Sequence, residues 1–179
     1  MESVNITEVV HEILDFFRER VTGVGVSLSC DLEKNIPPVN ADPDLMSQVL
    51  LGLLANATEA VCPGGEVTVQ ARPVHDAVEI DIADSGPGIP VELRERVFEP
   101  FFTTRRKGTG LGLAIARQIV EAHVGKIEVG DRIGAFRRLG ARVVAAEPQP
   151  ALVRTLKLIY GRDTQVTIVP AVVVSGTRA

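Results

Sequence analysis

Residues 98–113 read FEPFFTTRRKGTGLGL, and this stretch decides the fold. Three phenylalanines come before three consecutive cations, and alternating glycines then lead from Gly108 into an apolar helical pattern. Backbone N–H groups at the start of a helix form an anion site, and nearby cations strengthen it. The stretch therefore predicts a loop anchored by phenylalanines that leads into an anion-binding helix start. For the basic run taken alone, a solvated surface segment is the alternative.

A second motif, DSGPGI, begins at Asp84 and directly follows the alternating apolar residues of a strand over 78–82. A carboxylate at the end of a strand can accept a hydrogen bond from an exocyclic amine. Gly86 and Gly88 would let the backbone approach a flat ligand closely. For this motif taken alone, an ordinary turn at the end of a strand is the alternative.

A helix is predicted from Pro43 to about Val61, because Asp42 is a capping carboxylate and proline suits the first helical position. Helical spacing puts four residues on one side of it: Gln48, Gly52, Asn56 and Glu59. It puts an apolar set on another side, which we expect to pack on the sheet: Leu45, Val49, Leu53, Ala57 and Ala60. Asn56, taken in isolation, could equally be a surface or capping residue.

Periodicity predicts mixed α+β structure along the rest of the chain. The predicted helices cover 6–20, 91–97, 111–123, 132–139 and 150–160, and the predicted strands cover 24–30, 67–71, 78–82, 127–129, 143–146 and 166–173. The two strands at 67–71 and 78–82 would form a hairpin, and the elements after 132 alternate in a βαβ-like order.

Composition narrows the class of protein. The 179 residues are 45% hydrophobic and 23% charged, which excludes disorder, and no apolar run is long enough to span a membrane. The acidic N-terminal stretch does not fit a secretory signal, and the two cysteines have no metal-ligand spacing. We therefore expect a cytoplasmic protein with free thiols.

The net charge of −4 is unevenly distributed. Residues 1–128 contain 20 acidic and 11 basic residues, whereas residues 129–179 contain 3 acidic and 8 basic residues. Such an asymmetry suggests that the two parts have different histories, although a single domain with a basic face would also explain it.

Four motifs in this order resemble those of the GHKL ATPase superfamily, and in detail those of the catalytic domain of bacterial sensor histidine kinases. LLANATEA, DSGPGIP, VFEPFFTT and GTGLGLAIARQIVEAHVGKIEV are similar to the N, G1, F and G2 boxes, and NIPPVNADPDLMSQVL is typical of the lead-in. The resemblance covers about residues 1–129 and implies a two-layer α/β sandwich of the Bergerat type. It also implies ATP and Mg²⁺ as cofactors.

The resemblance also implies roles for individual residues. Asn56 would be the side-chain ligand of Mg²⁺, Asp84 would recognise the adenine amino group, and Gly86 and Gly88 would shape that pocket. Residues 103–107, here called the lid segment, would form the ATP lid. The remaining implied nucleotide contacts come from the lid segment and the helix start: Thr103, Thr104, Arg105, Lys107, Gly108, Thr109, Gly110, Leu111 and Gly112.

Two features depart from the family pattern. Gly52 stands where gyrase-type relatives place a glutamate general base, so efficient ATP hydrolysis is not expected. No catalytic residue is certain, and Glu59, Arg105 and Lys107 are the candidates. His11 only superficially resembles a phosphoacceptor, because the proline and leucine expected downstream of it are missing.

The tail does not resemble the Gly-Thr-x-Phe hairpin that usually ends histidine-kinase domains. Residues 129–173 instead resemble an internal piece of an FkbM-type, S-adenosylmethionine-dependent methyltransferase, in which Glu147 would bind ribose hydroxyls. Because only half of that cofactor site is present, we expect no methyl transfer. These observations predict two domains, 1–129 and 130–179, in a chimeric or truncated chain; the alternative is a divergent family member with an unusual terminus. The tail strands would replace the lost edge strands of the sheet or pair two copies into a homodimer.

The function predicted first is ATP binding by a histidine-kinase catalytic domain, which would phosphorylate a histidine on a separate dimerisation and phosphotransfer domain and so serve a response regulator. The alternatives are an ATPase or phosphohydrolase, and a scaffold that has lost nucleotide turnover. Binding of nucleic acid by the basic tail has only charge in its favour, and we do not expect it.

Overall fold

The computed structural model of the chain describes residues 1–74, 77–105, 108–132 and 138–146. These ranges contain three α-helices: α1 (Ile6–Thr22), α2 (Pro43–Ala60) and α3 (Gly112–Ala122). They contain seven strands: β1 (Glu2–Val4), β2 (Ser27–Leu32), β3 (Val39–Ala41), β4 (Glu66–Val74), β5 (Ala77–Asp84), β6 (Lys126–Arg132) and β7 (Arg138–Ala146). Two short 3-10 helices, Val91–Leu93 and Arg96–Phe98, stand where one helix over 91–97 was predicted.

The helix α2 begins where the sequence predicts, directly after the capping residue Asp42. The side chain of Asp42 accepts a hydrogen bond from the backbone N–H of Leu45 at 3.1 Å, and Pro43 occupies the first turn. This cap satisfies one of the N–H groups that a helix start leaves without an intrahelical partner. The helix ends at Ala60, just before Pro63 and Gly64, so both ends of the predicted helix are confirmed.

The main sheet has five strands in the order β2-β4-β5-β7-β6. The strands β2 and β4 pair in parallel, and the other pairs of this sheet are antiparallel. The predicted hairpin is β4 and β5, whose strands run further than expected, to Val74 and from Ala77. A separate two-stranded antiparallel sheet joins β1 to β3.

One face of the main sheet is buried and the other is polar. Val67 and Val69 on β4 and Ile80 and Ile82 on β5 are at most 2% exposed and belong to the same core as the helices. Burying each such side chain contributes about 1.5–3 kcal/mol. The opposite face includes Ser29, whose hydroxyl bonds Thr68. The predicted α+β class, a two-layer sandwich, is confirmed. Within the described ranges, no helix is long and apolar enough to cross a bilayer.

The chain after Val129 differs from its predicted course. The helix predicted over 132–139 is wrong at its two ends, because residue 132 lies in β6 and residues 138–139 lie in β7. The strand β7 inserts antiparallel between β5 and β6, with Val143 in register with Ile80 and Ile127. In sequence, apolar residues alternate at 139, 141, 143 and 145, a period of two that is typical of a strand.

The strand predicted over 143–146 is therefore part of a longer one, which belongs to the same sheet but lies inside it, between β5 and β6, and not at its edge. The predicted domain boundary at 129/130 falls inside β6. The predicted helix over 150–160 and strand over 166–173, together with Glu147, lie outside the described residues.

Candidate functional site

The last turns of α2 carry two of the predicted site residues. Asn56 is half-buried, and Glu59 follows it by three positions on the same side of the helix with an exposed side chain. Gly52 lies one turn earlier, and a methyl group added there would meet no atom within 4 Å. Hence the surface of α2 beside Asn56 is open.

The end of β5 approaches the same end of α2. Alternation along the strand puts Asp84 on the face of Ile80 and Ile82, which is the face that the helices cover. The backbone N–H of Gly86 donates to Oδ1 of Asp84 at 2.8 Å. A methyl group on Gly86 would lie 2.7 Å from the carbonyl oxygen of Ala60. Only glycine therefore allows the loop after Asp84 to pack directly on the end of α2.

Asp84 has an unusual electrostatic environment. Burial raises the pKa of its carboxyl group above the ordinary value of 3.8, while the hydrogen bond from the Gly86 N–H and the positive charge of Arg105 act in the opposite direction. A partly desolvated acceptor of this kind is suited to a hydrogen-bond donor on an apolar ligand. The neighbouring Gly88 has a φ of +91°, a conformation that favours glycine.

The three phenylalanines that were expected to anchor one loop differ in how deeply they are buried. Phe98 is buried, and the guanidinium of Arg117 lies 5.2 Å from its ring centroid. Phe102 is half-buried under Arg96, at 4.7 Å. Phe101, in contrast, is 75% exposed and has a positive φ of 67°. The anchoring prediction is wrong for Phe101, because its left-handed backbone turns its side chain outward.

A backbone contact closes the loop that contains the lid segment. The N–H of Phe101 donates to the carbonyl of Gly110 at 2.9 Å, and Gly110 itself has a φ of +68°. A methyl group on Gly110 would overlap the carbonyl carbon of Phe101. Gly108 is equally close to the Thr103 hydroxyl, which accepts a hydrogen bond from the N–H of Arg105 at 3.1 Å. Glycine is therefore required at 110, where the clash is with backbone, whereas a side chain at 108 would have to displace the Thr103 hydroxyl.

The start of α3 faces Asn56. A methyl group on Gly112 would lie 3.7 Å from Nδ2 of Asn56. No side chain in the described ranges caps this helix at its N-cap residue Leu111, although the Leu111 N–H reaches the Thr109 hydroxyl at 3.5 Å. The positive end of an 11-residue helix thus points towards the same region as the end of α2.

Arg105 links the lid segment to α2. Its Nη2 donates to the backbone carbonyl of Asn56 at 2.9 Å, its Nη1 lies 3.4 Å from Oδ1 of Asn56, and it forms an ion pair with Glu59. The structure thus joins Arg105 to Asn56 and Glu59, while its charge also acts on Asp84. The loop after β5 and the start of α3 both lie close to the last turns of α2.

Other predicted positions are less informative. Thr104 is exposed on the lid segment, and Lys107 lies outside the described residues.

Comparison with known proteins identifies the family. The model of the histidine kinase-, DNA gyrase B-, and HSP90-like ATPase family matches residues 41–171. The chain belongs to this family. The match includes most of the stretch that resembles a methyltransferase, so it lends no support to that second resemblance.

The relatives of this ATPase domain include sensor kinases. The signal transduction histidine-protein kinase AtoS of Escherichia coli is 37% identical over 134 residues, which are 74% of this chain and 22% of AtoS. The chain therefore spans about a fifth of that relative. The catalytic domain of histidine kinase ThkA superposes with a TM-score of 0.74 at 33% identity and covers 82% of this chain and 96% of ThkA's domain. Full-length ShkA in complex with AMPPNP gives a TM-score of 0.71 at 28% identity, over 84% of this chain and 33% of ShkA.

Several contributors to the site had no clear signal in the sequence. Arg94 donates from Nε to the carbonyl of Ile89 at 3.3 Å and so supports the loop after Asp84. The carbonyl of Ala60 is a backbone atom, so no pattern of side chains could indicate it. The contact of Arg105 with Glu59 joins residues 46 positions apart, and only the fold brings them together.

Proposed function

We propose that this chain is the ATP-binding catalytic part of a sensor histidine kinase, which holds ATP with Mg²⁺ and supplies the phosphoryl group that a histidine on another domain receives. One observation carries the proposal. Arg105 hydrogen-bonds Asn56 on α2 and acts electrostatically on Asp84 at the end of β5, which supports the proposal that these residues from separate elements line one cleft. Membership of the ATPase family and the AMPPNP complex of ShkA support it.

In this proposal, each part of the cleft recognises one part of the nucleotide. Asp84 accepts a hydrogen bond from the adenine amino group, and the loop over 86–88 lies against the ring. The backbone N–H groups at the start of α3, preceded by Gly108 and Gly110, bind the phosphates. Arg105 and Lys107 of the lid segment provide positive charge beside the triphosphate, and catalysis consists of positioning and charge stabilisation.

The residues beside Asn56 also suit a divalent cation. Mg²⁺ prefers oxygen ligands and usually binds through one or two protein side chains together with substrate phosphates. Oδ1 of Asn56 and the carboxylate of Glu59 are such oxygens, and they already surround the positive charge of Arg105. We infer that Asn56 holds Mg²⁺. The ion would neutralise charge on the phosphates when bound.

The partners follow from the same proposal. A kinase of this class needs a dimerisation and phosphotransfer domain that carries the acceptor histidine, and it needs a response regulator. ThkA has been solved in complex with the response regulator TrrA, which supports a partner of that kind. Because ATP and response regulators are cytoplasmic, the proposal includes a cytoplasmic location. The methyltransferase resemblance, the chimeric origin and a homodimer through the tail stay predictions.

Calorimetry with Mg-ATP tests the proposal. We expect binding by the parent chain and a loss of about 10- to 100-fold in affinity in Asp84→Ala, because a hydrogen bond to a charged group is worth about 1.5–3 kcal/mol. The loss in Asp84→Ala should extend to ADP and adenosine, whereas Asn56→Ala should lose affinity for Mg-ATP far more than for ATP in EDTA. Asp31→Ala and Asn40→Ala are matched controls, because both residues are exposed and lie on β2 and β3, outside the cleft.

Each failure has its own meaning. If the parent chain shows neither heat nor a thermal shift with Mg-ATP, the proposal is wrong and the scaffold alternative stands. If it releases phosphate at a rate that disappears in Asn56→Ala, the hydrolase alternative is favoured instead.

A further inference from the structure

The side chain of Arg105 is held by three acceptors on α2. It donates to the backbone carbonyl and to Oδ1 of Asn56, at 2.9 and 3.4 Å, and it pairs with the carboxylate of Glu59. These contacts join the lid segment to the helix that carries the metal ligand of the proposed function. A planar guanidinium with several N–H groups suits this arrangement, because one side chain can serve several oxygens at once.

The contact with Oδ1 of Asn56 has a chemical consequence. The same oxygen is the one proposed to bind Mg²⁺, and two cations that share one amide oxygen would repel each other strongly at such a distance. The guanidinium and the metal ion therefore exclude each other at Asn56.

We infer that Arg105 takes the place of the divalent cation on Asn56 while no nucleotide is bound, and that Glu59 is the positioning residue that holds it there. This inference rests on the proposed function for the identity of the metal ligand. Binding of Mg-ATP then requires Arg105 to leave Asn56 and Glu59, and the triphosphate offers it a new set of anionic acceptors. Arg105 is thus latched to α2 before binding and released during it.

The position of Glu59 explains why a carboxylate is needed. Three residues after Asn56, it lies on the same side of α2 and adds a full negative charge to two uncharged acceptors. Its side chain is 64% exposed and that of Arg105 is 39% exposed, so solvent moderates the attraction. A latch of this strength can be opened by a ligand. An exposed ion pair such as that between Arg105 and Glu59 shifts the equilibrium between the latched and the released side chain about two- to five-fold.

Hydrogen exchange in the nucleotide-free chain tests the latch directly. In Glu59→Gln, we expect amides of residues 101–110 to exchange about two- to five-fold faster than in the parent. Glu121→Gln is the matched control, because Glu121 is similarly exposed (56%) and also pairs with an arginine, Arg117 at 2.9 Å, but lies on the far turn of α3. Unchanged exchange in Glu59→Gln, or an equal increase in Glu121→Gln, would overturn the inference.

Calorimetry with Mg-ATP provides a second, independent measurement. Loss of the latch should tighten binding of Mg-ATP about two- to five-fold in Glu59→Gln and leave it unchanged in Glu121→Gln. Weaker binding in Glu59→Gln would mean that the carboxylate serves the metal ion rather than Arg105, and it would overturn the inference. If the parent bound no nucleotide at all, the proposed function would fail, whereas the exchange experiment would still decide whether Glu59 latches the lid segment.

Discussion

The backbone N–H of Asp42 donates to Nε2 of His123 at 3.0 Å, which ties the start of α2 to the end of α3. His123 is 2% exposed, and its Nδ1 lies 2.8 Å from the carbonyl of Ile119, so Nδ1 carries the proton and Nε2 is free to accept. The sequence located His123 at a helix end but gave no sign of this bond, because the two residues are 81 positions apart. The bond fixes the two helices that line the cleft relative to each other.

Replacing His123 by alanine should therefore destabilise the fold. The change leaves the N–H of Asp42 without its acceptor in a partly buried place and also leaves a cavity, and we expect a loss of about 1–3 kcal/mol in the free energy of unfolding. Urea denaturation measures it. His11→Ala is the control, since His11 is exposed on α1 and should change stability by no more than about 0.5 kcal/mol. Equal effects of the two substitutions would contradict the role of His123.

Gly110 should not tolerate a side chain. Its φ of +68° and its contact with the backbone of Phe101 make Gly110→Ala both strained and sterically blocked, and we expect a loss of about 1–3 kcal/mol in unfolding free energy. Affinity for Mg-ATP should fall as well, because the same glycine sets the path into α3.

Gly52→Ala is the variant to compare with Gly110→Ala. Gly52 lies inside α2, where an added methyl group meets nothing within 4 Å, so alanine should stabilise the helix by about 0.5–1 kcal/mol. Thermal unfolding of the two variants should therefore shift in opposite directions. If the melting temperatures of both variants shifted in the same direction, then either the space beside Gly52 is not open or the backbone contact of Gly110 with Phe101 is not tight.

Asp84→Asn should separate stability from binding. Burial raises the pKa of Asp84 in the folded chain, so the folded state takes up a proton more readily than the unfolded state. The stability that this group contributes is present at low pH and is lost as the pH rises from about 3.8 through the raised pKa. Above that pH range the ionised carboxylate of Asp84 lowers the stability of the folded chain, and an asparagine at this position removes that effect.

We expect Asp84→Asn to melt at a higher temperature than the parent at neutral pH, with the difference disappearing at about pH 3, where both side chains are uncharged. Its affinity for ATP should nevertheless fall, because the carboxylate is the acceptor for the adenine amino group in the proposed function. Thermal melts across this pH range and calorimetry with ATP measure the two effects. A variant that binds ATP as well as the parent would remove Asp84 from adenine recognition.

Much of the fold could be predicted from local patterns. The cap at Asp42, the stop after Ala60 and the alternation along β4 and β5 are short-range signals, and the structure follows them closely. Residues 138–146 were harder, because a strand is stabilised by its neighbours, and the pairing of β7 with β5 joins residues more than 50 positions apart.

In the candidate site, too, local features could be predicted and contacts between distant residues could not. The order of the motifs indicated Asn56, Asp84 and the glycines of the α3 start. The contacts that connect them could not be predicted, since Arg105 and Asn56 are 49 positions apart and only the fold brings them together. A left-handed residue such as Phe101 is equally invisible to side-chain patterns, because phenylalanine rarely adopts that backbone conformation.

Gly52→Glu should raise the hydrolysis of Mg-ATP above the slow rate expected of the parent. The residue lies one turn before Asn56, and an added Cβ there meets nothing within 4 Å, so we expect a glutamate at 52 to reach the space beside the proposed metal ligand. A positioned general base contributes roughly 10²- to 10⁴-fold to proton transfer, so we expect release of phosphate from Mg-ATP to rise at least about tenfold. Gly52→Gln is the matched control, because it adds the same bulk without a base and should leave the rate near that of the parent. Equal rates for the two variants would show that position 52 does not reach the attacking water, and that the slow hydrolysis expected of the parent has another cause.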